Sequence, residues 1–156
     1  MRVLSVDPGY GRCGVAIIDG SATNQTHIYS DCIETNSGDN FFARLHEIAD
    51  MVNKLITEHE PDAVAIEKLF FNQNTPTAMK VAQVKGAIAE VAKNNNLSVH
   101  EYSPQKIKAA VAGHGSAKKK QVMAMTQQLV NIPDSAQHDD EYDAIAVGIT
   151  CLAHET

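Results

Sequence analysis

The most constraining feature of this chain is its opening, Val3-Leu4-Ser5-Val6-Asp7-Pro8-Gly9. A short, branched, apolar run that stops on a carboxylate, a proline and a glycine reads as a buried strand running into a turn, with Asp7 at the rim of the core. The pattern recurs. Ala63-Val64-Ala65-Ile66 ends on Glu67, and Asp140 and Asp143 open an apolar helical stretch near the C-terminus. In an α/β sheet the carboxyl ends of strands line the usual ligand crevice, so these acids are expected to converge there. Each piece has an ordinary reading, because Asp-Pro-Gly makes turns and acids in a first helical turn complement the dipole. Recurrence at three element ends is what those readings leave unexplained. Carboxylates ~4 Å apart repel by about 4 kcal/mol per pair at an effective dielectric near 20 unless cations sit between them. Such a cluster suits hard divalent cations, and a pair of them is a device for in-line displacement at phosphorus.

The rest of the chain predicts the frame. Cys13 to Ile18 and a run around His27 to Ile33 read as further strands, with Gly-bearing turns at Pro8-Gly9-Tyr10-Gly11 and Asp19-Gly20, so the chain opens as a three-stranded antiparallel meander. From Phe41 to His59, apolar residues at Phe42, Leu45, Ile48, Ala49, Val52, Leu55 and Ile56 recur at helical spacing. Pro61 separates that helix from the strand at Ala63 to Ile66. Thr77 to Lys93 reads as a helix apolar on more than one face, fit to lie between the sheet and a second copy of the chain. A fifth strand is expected at Leu97 to Tyr102, then helices at Gln105 to Ala112, Ala117 to Val130 and Asp139 or Asp140 to His154.

Two segments carry candidate ligand chemistry beside the acids. The loop after Glu67 holds Phe70 and Phe71, which either stack on bases or cover the core. Lys106, Lys108, Lys118, Lys119 and Lys120 crowd into fifteen positions, and lysines at a helix start oppose the dipole by about 0.3–1 kcal/mol each, a conflict that an anionic ligand relieves. A solvated helix start is the plainer account of the run. The net charge of −6 speaks against an extended basic surface for gripping nucleic acid. At 156 residues a single domain over 1–156 is expected. Apolar runs far short of the ~20 residues of a membrane helix, and the absence of a signal-peptide pattern, predict a cytoplasmic protein without membrane contact. The three cysteines, Cys13, Cys32 and Cys151, are odd in number, widely spaced and in apolar surroundings, so buried thiols are expected rather than disulfides or zinc.

Asp7-Pro8-Gly9, Ile66-Glu67-Lys68-Leu69-Phe70, Gly113-His114-Gly115-Ser116-Ala117-Lys118-Lys119 and Asp140-Glu141-Tyr142-Asp143-Ala144-Ile145-Ala146, in that order and spacing, resemble the RuvC family of Holliday junction resolvases. The resemblance implies a ribonuclease H-like α/β fold: a five-stranded mixed sheet, three antiparallel strands then two parallel, flanked by helices. It implies Asp7, Glu67, Asp140 and Asp143 as catalytic metal ligands for two Mg²⁺, with Mn²⁺ as a substitute. Asp139 leaves the third ligand open by one position, and helical phase favours Asp140. It further implies Phe70 near the junction crossover, Lys108 and Lys119 on phosphates, and a homodimer that nicks a four-way DNA junction symmetrically to leave 5′-phosphates, with a branch-migration motor as a further partner. Phe71, Lys118 and Lys120 are the neighbouring candidates for DNA contact. The rival readings are a nuclease for RNA–DNA hybrids, a junction-binding protein without catalysis, and an actin-like phosphotransferase, for which the chain is too short.

Overall fold

A computed structural model describes residues 1–69, 75–132, 136 and 138–156. The elements run β1 (Arg2–Asp7), β2 (Arg12–Ser21), β3 (Asn24–Glu34), α1 (Phe41–His59), β4 (Ala63–Glu67), α2 (Thr75–Asn94), β5 (Ser98–Tyr102), α3 (Pro104–Ala112), α4 (Lys119–Leu129) and α5 (Asp139–Glu155). The five strands form one sheet in the order β3-β2-β1-β4-β5. β1, β2 and β3 pair antiparallel, while β4 joins β1 and β5 joins β4 in parallel. This is the mixed sheet that the family resemblance implies, with the antiparallel meander read from the strand and turn pattern at its start.

Strand alternation divides the core between the two faces of the sheet. Leu4, Val6, Val15, Ile17, Val64 and Ile66 meet α1 and α2 on one face; Val3, Ala16, Ile18 and Ala65 meet α3, α4 and α5 on the other. α5 is the most deeply seated helix, with every residue from Ala144 to Leu152 buried. Gly148 is what lets it lie so close, since a Cβ there would sit 2.7 Å from Ile18 and 2.8 Å from Ser5 Oγ. Parallel strands joined by helices return each helix start to the same sheet edge. The starts of α1, α2, α3 and α5 therefore surround the ends of β1 and β4.

Several local expectations shift. The β2–β3 hairpin closes at Ala22-Thr23 instead of Asp19-Gly20, because Gly20, with φ +130°, is held inside the ladder opposite Gln25. Phe42 does not belong to the buried stripe of α1. It is 71 % exposed, and Phe41 packs against the core instead, because the core-facing positions run through Phe41, Leu45, Ile48, Val52 and Leu55. Lys118 precedes α4 as its extended cap residue, its backbone N–H bonded to Gln121 Oε1, so the helix begins at Lys119. Within the single chain α2 is buried along one stripe, Val84, Ile88 and Ala92. Its Ala82, Gly86 and Ala89 face instead lines a groove of about 380 Å³ with Lys68, Leu69, Lys85 and Glu101. Cys13, Cys32 and Cys151 are buried free thiols. Among the described residues no helix is long and apolar enough to cross a membrane.

Candidate active site

Asp7 is the last residue of β1 and lies opposite Gly14 of β2. Val6 is in register with Ile66 of β4, so the next residues, Asp7 and Glu67, end adjacent parallel strands side by side. By alternation both point to the face that carries Val3 and Ala65, the face covered by α5. The first turn of α5 comes down directly on β2. A Cβ on Gly14 would lie 2.0 Å from the backbone oxygen of Asp140, so only glycine at position 14 lets that turn reach the sheet edge. Asp140 and Asp143, three residues apart, then project together toward Asp7. Asp7, Asp140 and Asp143 each offer a carboxylate oxygen within 4.8 Å of the others, and Glu67 joins them through a side-chain hydrogen bond with Asp7.

The electrostatic consequence is large. Burial, then the charges of Glu67 and Asp143, push the Asp7 carboxyl up to about 8, so that without cations it keeps its proton and donates it to Glu67. Burial also raises Glu67, opposed by the Asp7 hydrogen bond and by Lys108 and Lys119 nearby. Asp143 is raised by burial too, with Lys119 opposing. The donor set is all carboxylate oxygen, which matches Mg²⁺ or Mn²⁺ in hardness and supplies the negative charge that such ions compensate.

Cations flank the acids. Lys119 Nζ lies 3.3 Å from both Asp139 Oδ2 and Asp143 Oδ2. Lys108 and Lys119 line a groove of about 300 Å³ together with Glu67, Asp143, Pro104, Ile107, Val122 and Ala146. Lys118 and Lys120 are exposed and do not line it. Asp139 turns out to solvent with Lys119, and Asp140 is the one that meets Asp7. Phe70 and Phe71 lie outside the described residues.

Three contributors escaped the sequence reading. Arg12 Nη2 sits 2.7 Å from Asp140 Oδ2 and donates at 2.9 Å to His138 Nδ1, while His138 Nε2 lies 3.4 Å from Glu34. This chain of contacts ties Asp140 to β2, to the residue before α5 and to the end of β3. Gly14 is the third. A glycine inside an apolar strand run signals close backbone approach, and Cys13-Gly14-Val15 carries that signal.

The family model described as crossover junction endodeoxyribonuclease RuvC matches residues 3–151. Relatives named crossover junction endodeoxyribonuclease RuvC include that of Natranaerobius thermophilus, 39% identical over 149 residues, covering 96% of this chain and 92% of its own. That of Alkaliphilus metalliredigens is 40% identical over 154 residues, covering 99% and 93%. Among solved structures, Thermus thermophilus RuvC in complex with a Holliday junction substrate superposes with a TM-score of 0.90 at 27% identity, over 96% of this chain and 92% of that one. The yeast mitochondrial resolvase Ydc2 shares the fold, with a TM-score of 0.71 at 13% identity over 97% and 78% of the two chains. With an acid-lined sheet edge of this make-up and a family match that runs from β1 into α5, the chain belongs to the RuvC family of crossover junction endodeoxyribonucleases.

Proposed function

We propose that this chain is a metal-dependent endonuclease that resolves four-way DNA junctions in recombination and repair, acting in the cytoplasm as a single nuclease domain per subunit. The observation that carries the reading is the meeting of Asp7, Glu67, Asp140 and Asp143 at one sheet edge, beside a groove bearing Lys108 and Lys119. The oxygen-only donor set and the proton that Asp7 retains without cations both fit a site built for divalent metal. Two Mg²⁺, with Mn²⁺ as a substitute, would be held by these four carboxylates and would supply an activated water and charge relief at the cleaved phosphodiester.

The chain's own residues do the rest. Asp7, which meets the other three acids, would hold a cation in its ionised form, in place of the proton that it otherwise shares with Glu67. Lys119, no longer needed to neutralise Asp143, turns its ammonium to a strand phosphate, and Lys108 takes a neighbouring one. Phe70, with Phe71 beside it, contributes an aromatic ring for bases near the crossover. Two subunits related by a two-fold axis through α2 match the symmetry of the junction and place paired nicks that leave 5′-phosphates. The half-exposed Ala82, Gly86 and Ala89 face supports this assembly, because small residues let two helices approach closely. A branch-migration motor is the natural further partner of such an enzyme.

The test is nicking of an end-labelled mobile four-way junction, with and without Mg²⁺, beside a linear duplex and an RNA–DNA hybrid. Paired, Mg²⁺-dependent nicks in the junction alone are expected. Cleavage of the hybrid in preference to the junction would overturn the reading.

A further inference from the structure

An acidic chain that handles DNA needs its positive surface concentrated at the cutting edge, and Lys108 and Lys119 provide it on only one face of the sheet. The opposite face reaches the same edge through the starts of α1 and α2, and a second set of cations is assembled there. Tyr10, in the turn three residues beyond Asp7, packs edge-on to Phe41 with ring centroids 5.8 Å apart, and Phe41 in turn lies 5.6 Å from Phe42. The Arg44 guanidinium lies 4.9 Å from the Tyr10 ring centroid, and its Nε donates to Thr35 Oγ1 at 2.9 Å. Lys80 Nζ lies 5.3 Å from the Tyr10 ring and 5.8 Å from that of Phe41. Neither Arg44 nor Lys80 forms an ion pair among the described residues, in contrast to Lys119 and Arg12. The rings are not merely closing the core, since Phe42 is 71 % exposed and Met79, on the first turns of α2, is 60 % exposed. Neither α1 nor α2 carries an acid in its first turn.

We propose that Tyr10, Phe41, Phe42, Arg44 and Lys80 form a second DNA-contact surface, which holds the strand on the far side of the acid cluster from Lys108 and Lys119. Arg44 and Lys80 take phosphates, and Phe42 offers its open ring face to an unpaired base. Charge complementarity selects the occupant: two uncompensated cations, steadied on aromatic faces beside an exposed ring, suit the alternation of phosphate and base along a nucleic-acid strand. Placed on both layers of the sandwich, the two cation pairs would hold the strand across Asp7, and the chain's net charge of −6 would not prevent binding because the acids between them are neutralised by metal.

This surface rests on the junction-cutting reading, and the test separates the two. Binding of a fluorescent four-way junction is measured by anisotropy over a salt series with Mg²⁺ present, in an Asp7→Asn background so that binding is read without cutting. Lys80→Ala and Arg44→Ala should each make the negative slope of log affinity against log salt shallower by about one. Phe42→Ala should weaken binding about tenfold with its slope unchanged. Lys108→Ala on the other flank serves as the reference. If Lys108→Ala alters binding while Phe42→Ala and Lys80→Ala leave it unchanged, the second surface is refuted and the functional reading stands. If the parent binds the junction no better than a linear duplex, both fall. Phe42 and Lys80 are exposed, so their variants should unfold at the parent's temperature. A change in the sedimentation of Phe42→Ala without DNA would instead make the patch a contact between copies of the chain, and would also overturn the proposal.

Discussion

Replacing Asp7 with asparagine tests the electrostatics of the acid cluster apart from any activity. In the unfolded chain this carboxyl loses its proton near its ordinary value of 3.8, whereas in the fold it keeps it until about 8. Between those values the folded state binds the extra proton, so Asp7 makes the metal-free protein less stable as pH rises, by up to about 1.4 kcal/mol per pH unit. Accumulated to pH 7, about three units above the unfolded value, this amounts to at most ~4 kcal/mol. Lys119 and Arg12 sit against Asp143 and Asp140, whose side chains are 32% and 28% exposed, so part of the repulsion is relieved. A cost of about 2–4 kcal/mol remains. The asparagine side chain carries no charge, and its amide can donate to Glu67 in place of the Asp7 hydroxyl. Asp7→Asn should therefore melt roughly 5–15 °C above the wild type in chelator at about pH 7–8. The gap should close as pH falls toward about 4, where wild-type Asp7 is protonated in both states. Mg²⁺ should reverse the order, because binding to the native state stabilises the protein that holds the ion better. Thermal unfolding followed by circular dichroism, in chelator and in Mg²⁺ at several pH values, gives all three comparisons. Equal melting temperatures in chelator at about pH 8 would mean that the carboxylates do not repel as argued.

Three other outcomes follow from the same geometry. Asp140→Asn should abolish nicking while Asp139→Asn leaves it within a fewfold of wild type, since only Asp140 meets Asp7; equal losses in a nicking assay would contradict that assignment. Gly14→Ala should cost about 1–3 kcal/mol in denaturant unfolding and remove cleavage, because its methyl group would meet the Asp140 carbonyl at 2.0 Å and push α5 off the sheet edge. Ala82→Glu or Ala89→Glu should split a dimer built on α2 and end paired nicking, read by sedimentation beside the nicking assay; a wild type that stays monomeric at every concentration yet still cuts in pairs would refute this assembly.

The parts of this architecture legible in the sequence were those set by local pattern. β1 and β4 announce themselves as apolar runs ending in acid, and once the two strands are parallel neighbours the adjacency of Asp7 and Glu67 needs nothing more than register. Helical phase puts both Asp139 and Asp140, four and three residues before Asp143, near that residue, and it is the packing of α5 on β2 that brings Asp140 to Asp7. Periodicity was less decisive at element ends: Phe42 and Phe41 both continue an apolar stripe, and which one turns inward depends on how far α1 overhangs the sheet. Gly14 carries a local sign of close backbone approach but not of what approaches it, and Arg12 and His138 were illegible altogether. Their roles exist only where β2 lies antiparallel to β1 and α5 descends on it, a contact between positions more than 120 residues apart that no local pattern encodes. Lys119 falls between these cases. Its place in a lysine run marks it as a conflict with the dipole of α4, and its partner, Asp143, appears only when α4 and α5 are brought together. That pairing resolves the conflict. In the metal-free protein the ammonium answers the acids of α5, so a residue costly to the start of its own helix is compensated by the start of another.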